Sequence, residues 1–140
     1  MEGRPQVLDS LAQIALFADL SRPQLEDVAH AFEDEVFAEG QRVLRQGLSG
    51  NALYVILDGE AAVRRDGADL ARLARGDFFG EISVLTGQPP TADVVAGSLL
   101  RCLVIPGPEV DNFLLERPAV MLRMLRAEAI RIWNTLEWRS

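Results

Sequence analysis

Two kinds of hydrophobic patterning divide the chain. Between about residues 34 and 105, short apolar runs alternate with glycines, whereas the segments on either side repeat their apolar residues at intervals of three and four. The runs are Val43-Leu44, Ala52-Leu53-Tyr54-Val55-Ile56-Leu57, Ala61-Ala62-Val63, Leu70-Ala71-Arg72-Leu73, Val94-Val95-Ala96 and Leu99 to Ile105. Ten of the eleven glycines fall from position 40 to position 107, bracketing these runs. Brief aliphatic and β-branched segments closed by glycine read as successive strands and turns. A rolled antiparallel sheet or barrel is the expected product.

The flanks read as helices. Ser21-Arg22-Pro23-Gln24 has the form of a capping box ahead of the Leu25, Val28, Ala29, Phe32 stripe, which predicts a helix from about 22 to 33. Val7 to Leu16 carries a weaker helical pattern, and Leu16-Phe17-Ala18-Asp19-Leu20 is expected to pack a turn onto the barrel. After Pro106-Gly107-Pro108 a short helix should run to about Glu116, and Pro118 suits the start of a longer one. In that last helix Leu122, Leu125, Ala129, Ile132 and Leu136 recur at alternating intervals of three and four, with Met121 and Trp133 widening the stripe. Such a seam either meets a partner, a second copy included, or packs on the chain's own barrel. Trp138 fits either arrangement. The expected architecture is one α+β domain over 1–140: a helical segment over 1–33, an antiparallel β-roll or jelly-roll barrel over 34–105, and two C-terminal helices over 107–138.

Composition narrows the function classes. Hydrophobic residues at 49% and charged residues at 25% suit an ordinary globular domain. With 21 acidic against 14 basic side chains the net charge is −7, so direct nucleic-acid binding is not expected. No apolar run has the length of a membrane span and no secretory leader is recognisable; a cytoplasmic location is the expectation. The single cysteine, Cys102, lies within an apolar run and reads as a buried strand thiol. One histidine, His30, without a second ligand nearby does not make a metal site, and the carboxylates of Glu33-Asp34-Glu35 and Glu39 read as solvated. There is no Gly-x-Ser-x-Gly, Cys-His pair or Walker-type loop. Neither a catalytic residue, a metal nor a resident cofactor is expected.

The segment Phe78-Phe79-Gly80-Glu81-Ile82-Ser83-Val84-Leu85-Thr86-Gly87-Gln88-Pro89-Pro90-Thr91-Ala92 resembles the phosphate-binding cassette of the cyclic-nucleotide-binding domains, the catabolite-activator-like sensor family. Phe37 to Gly47 and Ala52 to Glu60 are similar to that family's first barrel hairpins, and the likeness extends over roughly residues 10 to 138. The resemblance implies a cassette helix at about 80–87. It implies that Gly80 admits close backbone approach, that Glu81 accepts a hydrogen bond from a ribose 2′-hydroxyl, and that the N–H groups of Ile82 and Ser83 face an anion. Thr91 and Ala92 match the residues that follow the family's phosphate-binding arginine. Pro90 stands where that arginine would be. Truncating one partner of a buried charged pair costs about 2 to 5 kcal/mol, roughly 30-fold to several-thousand-fold in affinity. Asp93, placed on one face of a strand with Thr91, would add repulsion.

Two functions follow from these residues. One is a non-catalytic regulatory domain that works through protein contacts of its C-terminal helix, with weak or no cyclic nucleotide binding. The alternative is a sensor that takes cyclic AMP, cyclic GMP or another small anion and signals through that helix. Arg64, Arg65, Arg72, Arg75 and Arg101 lie on or beside expected strands and are the candidates for a substitute cation, without a choice among them. The family's helix-turn-helix and catalytic modules find no counterpart in these 140 residues, which leaves a separate partner or a longer protein as the target.

Overall fold

In the computed structural model, which describes residues 3–48 and 51–139, strands and helices segregate along the chain. Helix α1 (Gly3–Ala12), a 3-10 turn (Ala15–Phe17) and α2 (Arg22–Ala31) come first. Eight strands follow: β1 (Glu33–Phe37), β2 (Arg42–Leu44), β3 (Ala52–Asp58), β4 (Ala61–Arg65), β5 (Ala68–Leu73), β6 (Phe78–Phe79), β7 (Asp93–Ala96) and β8 (Leu100–Pro106). The short helix α3 (Glu81–Thr86) interrupts them between β6 and β7, and α4 (Gly107–Leu115) and α5 (Pro118–Arg139) close the chain. The strands form two four-stranded sheets, ordered β1-β8-β3-β6 and β2-β7-β4-β5, with every pair antiparallel. This is the expected α+β β-roll with helices at both ends.

Strict alternation on the central strands builds two cores back to back. On β3, Leu53, Val55 and Leu57 turn toward the helices while Ile56 turns into the roll; on β8, Leu103 and Ile105 face the helices, and Leu100 and Cys102 the roll. Both faces of this sheet are therefore buried, which is why these strands read as continuous apolar runs. The helix-side core takes in Val7, Leu11, Phe17, Val28, Phe113 and Val120, with Phe32 and Phe113 meeting edge to face at 5.3 Å. The roll-side core takes in Phe37, Leu44, Ala61, Phe79, Val94 and Ala96.

Several elements depart from the sequence reading. The first helix starts at Gly3 and ends at Ala12, because Ile14 is extended (φ −92°, ψ 126°) and Leu16 and Phe17 drop into the core from the 3-10 turn. The acidic run Glu33-Asp34-Glu35 opens edge strand β1 with Glu33 and Glu35 exposed, while Asp34 is half-buried and takes a 2.6 Å hydrogen bond from Arg101 on β8. Charged residues suit a sheet edge, which must not pair with other chains. The capping box forms in full: the Gln24 N–H donates to Ser21 Oγ and the Ser21 N–H to Gln24 Oε1.

Helix α5 docks through its first half only. Val120 and Met124 are buried against the helix-side core, Ala127 packs beside them, and Arg123 binds Asp19 at 2.7 Å. The seam Leu122, Leu125, Ala129, Ile132 and Leu136 lies on another side and is exposed throughout, as are Met121 and Trp133. The side chain of Trp138 lies outside the described residues. Among the described residues no helix is long and apolar enough to cross a membrane, and no cluster of three metal-ligating side chains occurs.

Candidate functional site

The cassette begins where β6 splits its two phenylalanines between the cores. Phe78 enters the helix-side core and Phe79 the roll, where its ring stacks on Tyr54 at 4.8 Å with planes 6° apart. Gly80 then turns the chain into α3 with φ +86°, and a Cβ here would strike the Ala52 carbonyl and the Tyr54 ring. Only glycine satisfies both the left-handed backbone and the close approach. A second left-handed glycine, Gly87, ends the helix, its N–H donating to the Ser83 carbonyl at 2.9 Å. Helix α3 thus spans Glu81–Thr86 between two glycine caps, one residue shorter at each end than expected.

Glu81 is the centre of the site. Its residue is only 4% exposed, and Ser83 beside it is 6% exposed, while Ile82 between them faces solvent. The Glu81 carboxylate does not stand free. Arg131 of α5 reaches it at 3.4 Å, holds Glu128 at 2.9 Å, donates to the Phe78 carbonyl at 2.8 Å, and lies 4.3 Å from the centre of the Phe78 ring. One guanidinium thereby ties the last helix to the residues on either side of Gly80. Burial, and then the hydrogen bond and charge of the neighbouring Glu128 carboxylate, push Glu81 up to about 7, against the opposing pull of its own backbone N–H and of Arg131.

At the other end of the cassette Pro90 is buried, and its carbonyl accepts the Gly47 N–H at 2.9 Å. Thr91 is exposed and Ala92 half-buried. The expectation for Asp93 is overturned. Asp93 opens β7 and alternates with Val94, which enters the roll-side core, so its carboxylate lies on the outer face of the sheet opposite Arg64. There it accepts the Gln46 N–H at 2.7 Å and lies 3.6 Å from Arg42. It is a structural tether of the β2 loop rather than a charge set against a bound phosphate.

The five candidate cations separate equally clearly. Arg64 binds Asp69 at 2.7 Å, Arg72 reaches Glu60 at 3.9 Å, Arg75 donates to Gln13 Oε1 at 3.1 Å, and Arg101 is paired with Asp34. Arg65 alone of the five reaches the cassette, its Nε donating to the Thr91 carbonyl at 3.0 Å. A shallow cavity of about 300 Å³ lies on the other side of the cassette, where Ser83, Val84 and Pro89 face Asn51 and Gly107. Cys102 is fully buried and its thiol is pushed up to about 12, first by burial and then by Glu35, which suits packing rather than reactivity. His30 is exposed at the end of α2.

Sequence reasoning missed Glu128 and Arg131. They lie 47 and 50 residues beyond Glu81, on the side of α5 that carries Val120, Met124 and Ala127 inward, and the one signal for them was that this second, shorter apolar series gives way to charge at Glu128 and Arg131.

Comparison with known proteins agrees with this geometry. The chain is 30% identical over 121 residues to a cGMP-dependent protein kinase of Toxoplasma gondii, a match covering 86% of this chain and 12% of that one. It superposes with a TM-score of 0.77 and 25% identity on the regulatory subunit of a cAMP-independent protein kinase A from Trypanosoma brucei, covering 90% of this chain and 47% of that one. The catabolite activator protein of Thermus thermophilus gives the same TM-score and identity over 89% of this chain and 61% of its own. The chain therefore spans a small part of the curated kinase relative. The family model for the cyclic nucleotide-binding domain matches residues 34–117, the roll and α4 together with the cassette, and this chain belongs to the cyclic nucleotide-binding domain family.

Proposed function

We propose that this chain is a non-catalytic regulatory domain that acts through protein contacts of α5 and binds cyclic nucleotides weakly or not at all. The observation that carries the reading is Pro90. It occupies the place of the family's phosphate-binding arginine, is buried, and has its carbonyl committed to Gly47, so the cassette exit is well formed but lacks its in-line cation. A cyclic phosphodiester is anionic at neutral pH, and its desolvation needs a compensating charge. The relative from Trypanosoma brucei, described as the regulatory subunit of a cAMP-independent kinase, sets a precedent for a regulatory domain of this fold that does not answer to that nucleotide. The exposed seam Leu122, Leu125, Ala129, Ile132 and Leu136 is the contact surface in this reading, for a partner protein or a second copy. A cytoplasmic setting and the lack of direct nucleic-acid contact belong to the same proposal, in line with the net charge of −7.

A second reading, a true sensor for cyclic AMP, cyclic GMP or another small anion, is favoured by a different observation. Arg131 couples the ribose-type glutamate to α5, so a hydroxyl arriving at Glu81 would compete with the contact that fixes the helix. Calorimetric titration of the wild type and of Pro90→Arg with cyclic AMP and cyclic GMP separates the two. Weak or absent wild-type binding that Pro90→Arg strengthens by about 30-fold or more is expected. Saturable micromolar binding by the wild type would establish the sensor instead. No gain in Pro90→Arg would show that the cassette is closed to nucleotides.

A further inference from the structure

We propose that Arg65, reaching the cassette from β4, supplies the counter-charge for the phosphate of a nucleotide ligand in place of the arginine that Pro90 displaces. The proposal rests on the reading of the cassette as a weakened nucleotide site and names the group that holds the residual affinity.

Strand geometry sets Arg65 on the correct face. Ala61 and Val63 of β4 belong to the interior of the roll, and Arg65 is next in that period of two. The register shift beside Arg64 arises on β5, where the pairing passes from Ala71 to Asp69, so the alternation along β4 is unbroken. Across the other edge the register runs Val63 to Val94 and Arg64 to Asp93. The pairing ends there, since β7 begins at Asp93, and Arg65 reaches back to the preceding turn at Thr91, one residue from Pro90. The Nε bond to the Thr91 carbonyl fixes the guanidinium there.

The electrostatics point the same way. A guanidinium carries five N–H donors in a planar fork, so an Nε bond to a neutral carbonyl leaves both Nη groups for an anion. Among the described residues no carboxylate lies within ion-pair distance of Arg65, whereas Arg64, Arg72 and Arg101 are each committed to one. Asp93, the nearest acidic residue in sequence to the cassette exit, is turned to the outer face and held by Gln46 and Arg42. An exposed arginine fixed on the cassette, in the same alternation as the inward Ala61 and Val63 and free of a carboxylate, is what an anion at this place requires.

The test compares a charged ligand with its neutral counterpart. Wild type, Arg65→Ala, Arg65→Lys and Arg64→Ala are titrated calorimetrically with cyclic AMP and with adenosine. The wild type should prefer cyclic AMP by about tenfold or more, the range of one charge-assisted hydrogen-bonded contact. Arg65→Ala should abolish that preference, Arg65→Lys should retain part of it, and Arg64→Ala, with the same change in net charge on the opposite face, should keep it whole. A preference that survives in Arg65→Ala overturns the assignment and leaves the reading of the cassette intact. If the wild type binds no cyclic AMP but Pro90→Arg does, Arg65 is likewise excluded while the weakened cassette stands. Silence in both proteins removes the two together.

Discussion

Replacing Glu81 by glutamine should flatten the dependence of stability on pH across the neutral range. The Glu81 side chain is 5% exposed and lies between Arg131 and the carboxylate of Glu128. In the folded chain it titrates near 7 instead of 4.5, chiefly through burial and then through Glu128. An acid whose pKa is raised on folding holds its proton more tightly in the native state. Its stabilising contribution is fully present below the unfolded value and is lost as pH rises through the folded one. The difference between 7 and 4.5 is 2.5 units, or about 3 kcal/mol at 1.36 kcal/mol per unit. That figure is a ceiling, because the end of α5 can lift locally and hydrate the carboxyl at lower cost than global unfolding.

Denaturant unfolding measured from about pH 5 to about pH 8 should therefore show the wild type losing about 1 to 3 kcal/mol relative to Glu81→Gln. Glutamine cannot ionise but keeps the size and an acceptor oxygen for Arg131. The Glu116→Gln variant serves as the charge control, since the Glu116 side chain is 72% exposed, and its curve should run parallel to the wild type. Parallel curves for wild type and Glu81→Gln would refute the reasoning, for they would mean that the carboxyl is already hydrated in the folded chain.

Two further perturbations test other parts of the site. Gly80→Ala forces a side chain onto a backbone at φ +86° and into the Ala52 carbonyl, so it should lower stability by at least about 2 kcal/mol; Gly87→Ala, at φ +76° with open space around it, should cost about 1 kcal/mol, and thermal midpoints for the pair will show whether the gap exists. On the seam, Leu125 and Ile132 are 64% and 59% exposed, so Leu125→Glu with Ile132→Glu should turn a dimer into a monomer by light scattering while changing the monomer's stability by no more than about 0.5 kcal/mol per site. A wild type that is monomeric at every concentration removes the second copy as the seam's partner.

How much of this was legible depended on whether the signal was local. The central strands announced themselves because both faces of β3 and β8 are buried, leaving apolar runs that need no tertiary knowledge to recognise. The cassette was legible through the resemblance of the segment from Phe78 to Ala92 to a family motif, and the left-handed backbones of Gly80 and Gly87 give the physical reason that glycine stands at both ends of its helix. By contrast β1 is acidic and β6 has only two residues, and neither offers a period to detect. Helix α1 was shifted because apolar spacing continues past its end into Ile14, Leu16 and Phe17, all buried by the turn rather than by the helix. Asp93 was misread because the face of Thr91 was taken from strand alternation, whereas the strand begins only at Asp93 itself. Arg131 with Glu81 was beyond reach, as a contact across 50 residues leaves no mark in either local sequence.

In the proposed regulatory reading, the two sides of α5 have separate tasks. One side carries Arg131 and Glu128 to the cassette, and another presents Leu122, Leu125 and Ile132 to solvent. Because a single helix bears both, a partner that bound the seam and required α5 to shift would have to release Arg131 from Glu81 and from the Phe78 carbonyl. Release would return a charge-repelled carboxyl to water and lower its pKa toward the ordinary value, so partner binding of this kind would expel a proton near pH 7 and strengthen as pH rises. By reciprocity a ligand hydroxyl that engaged Glu81 would favour the same displaced helix, and the partner would tighten the ligand by the same factor. A partner that recognised α5 where it is docked would show neither the proton nor the coupling.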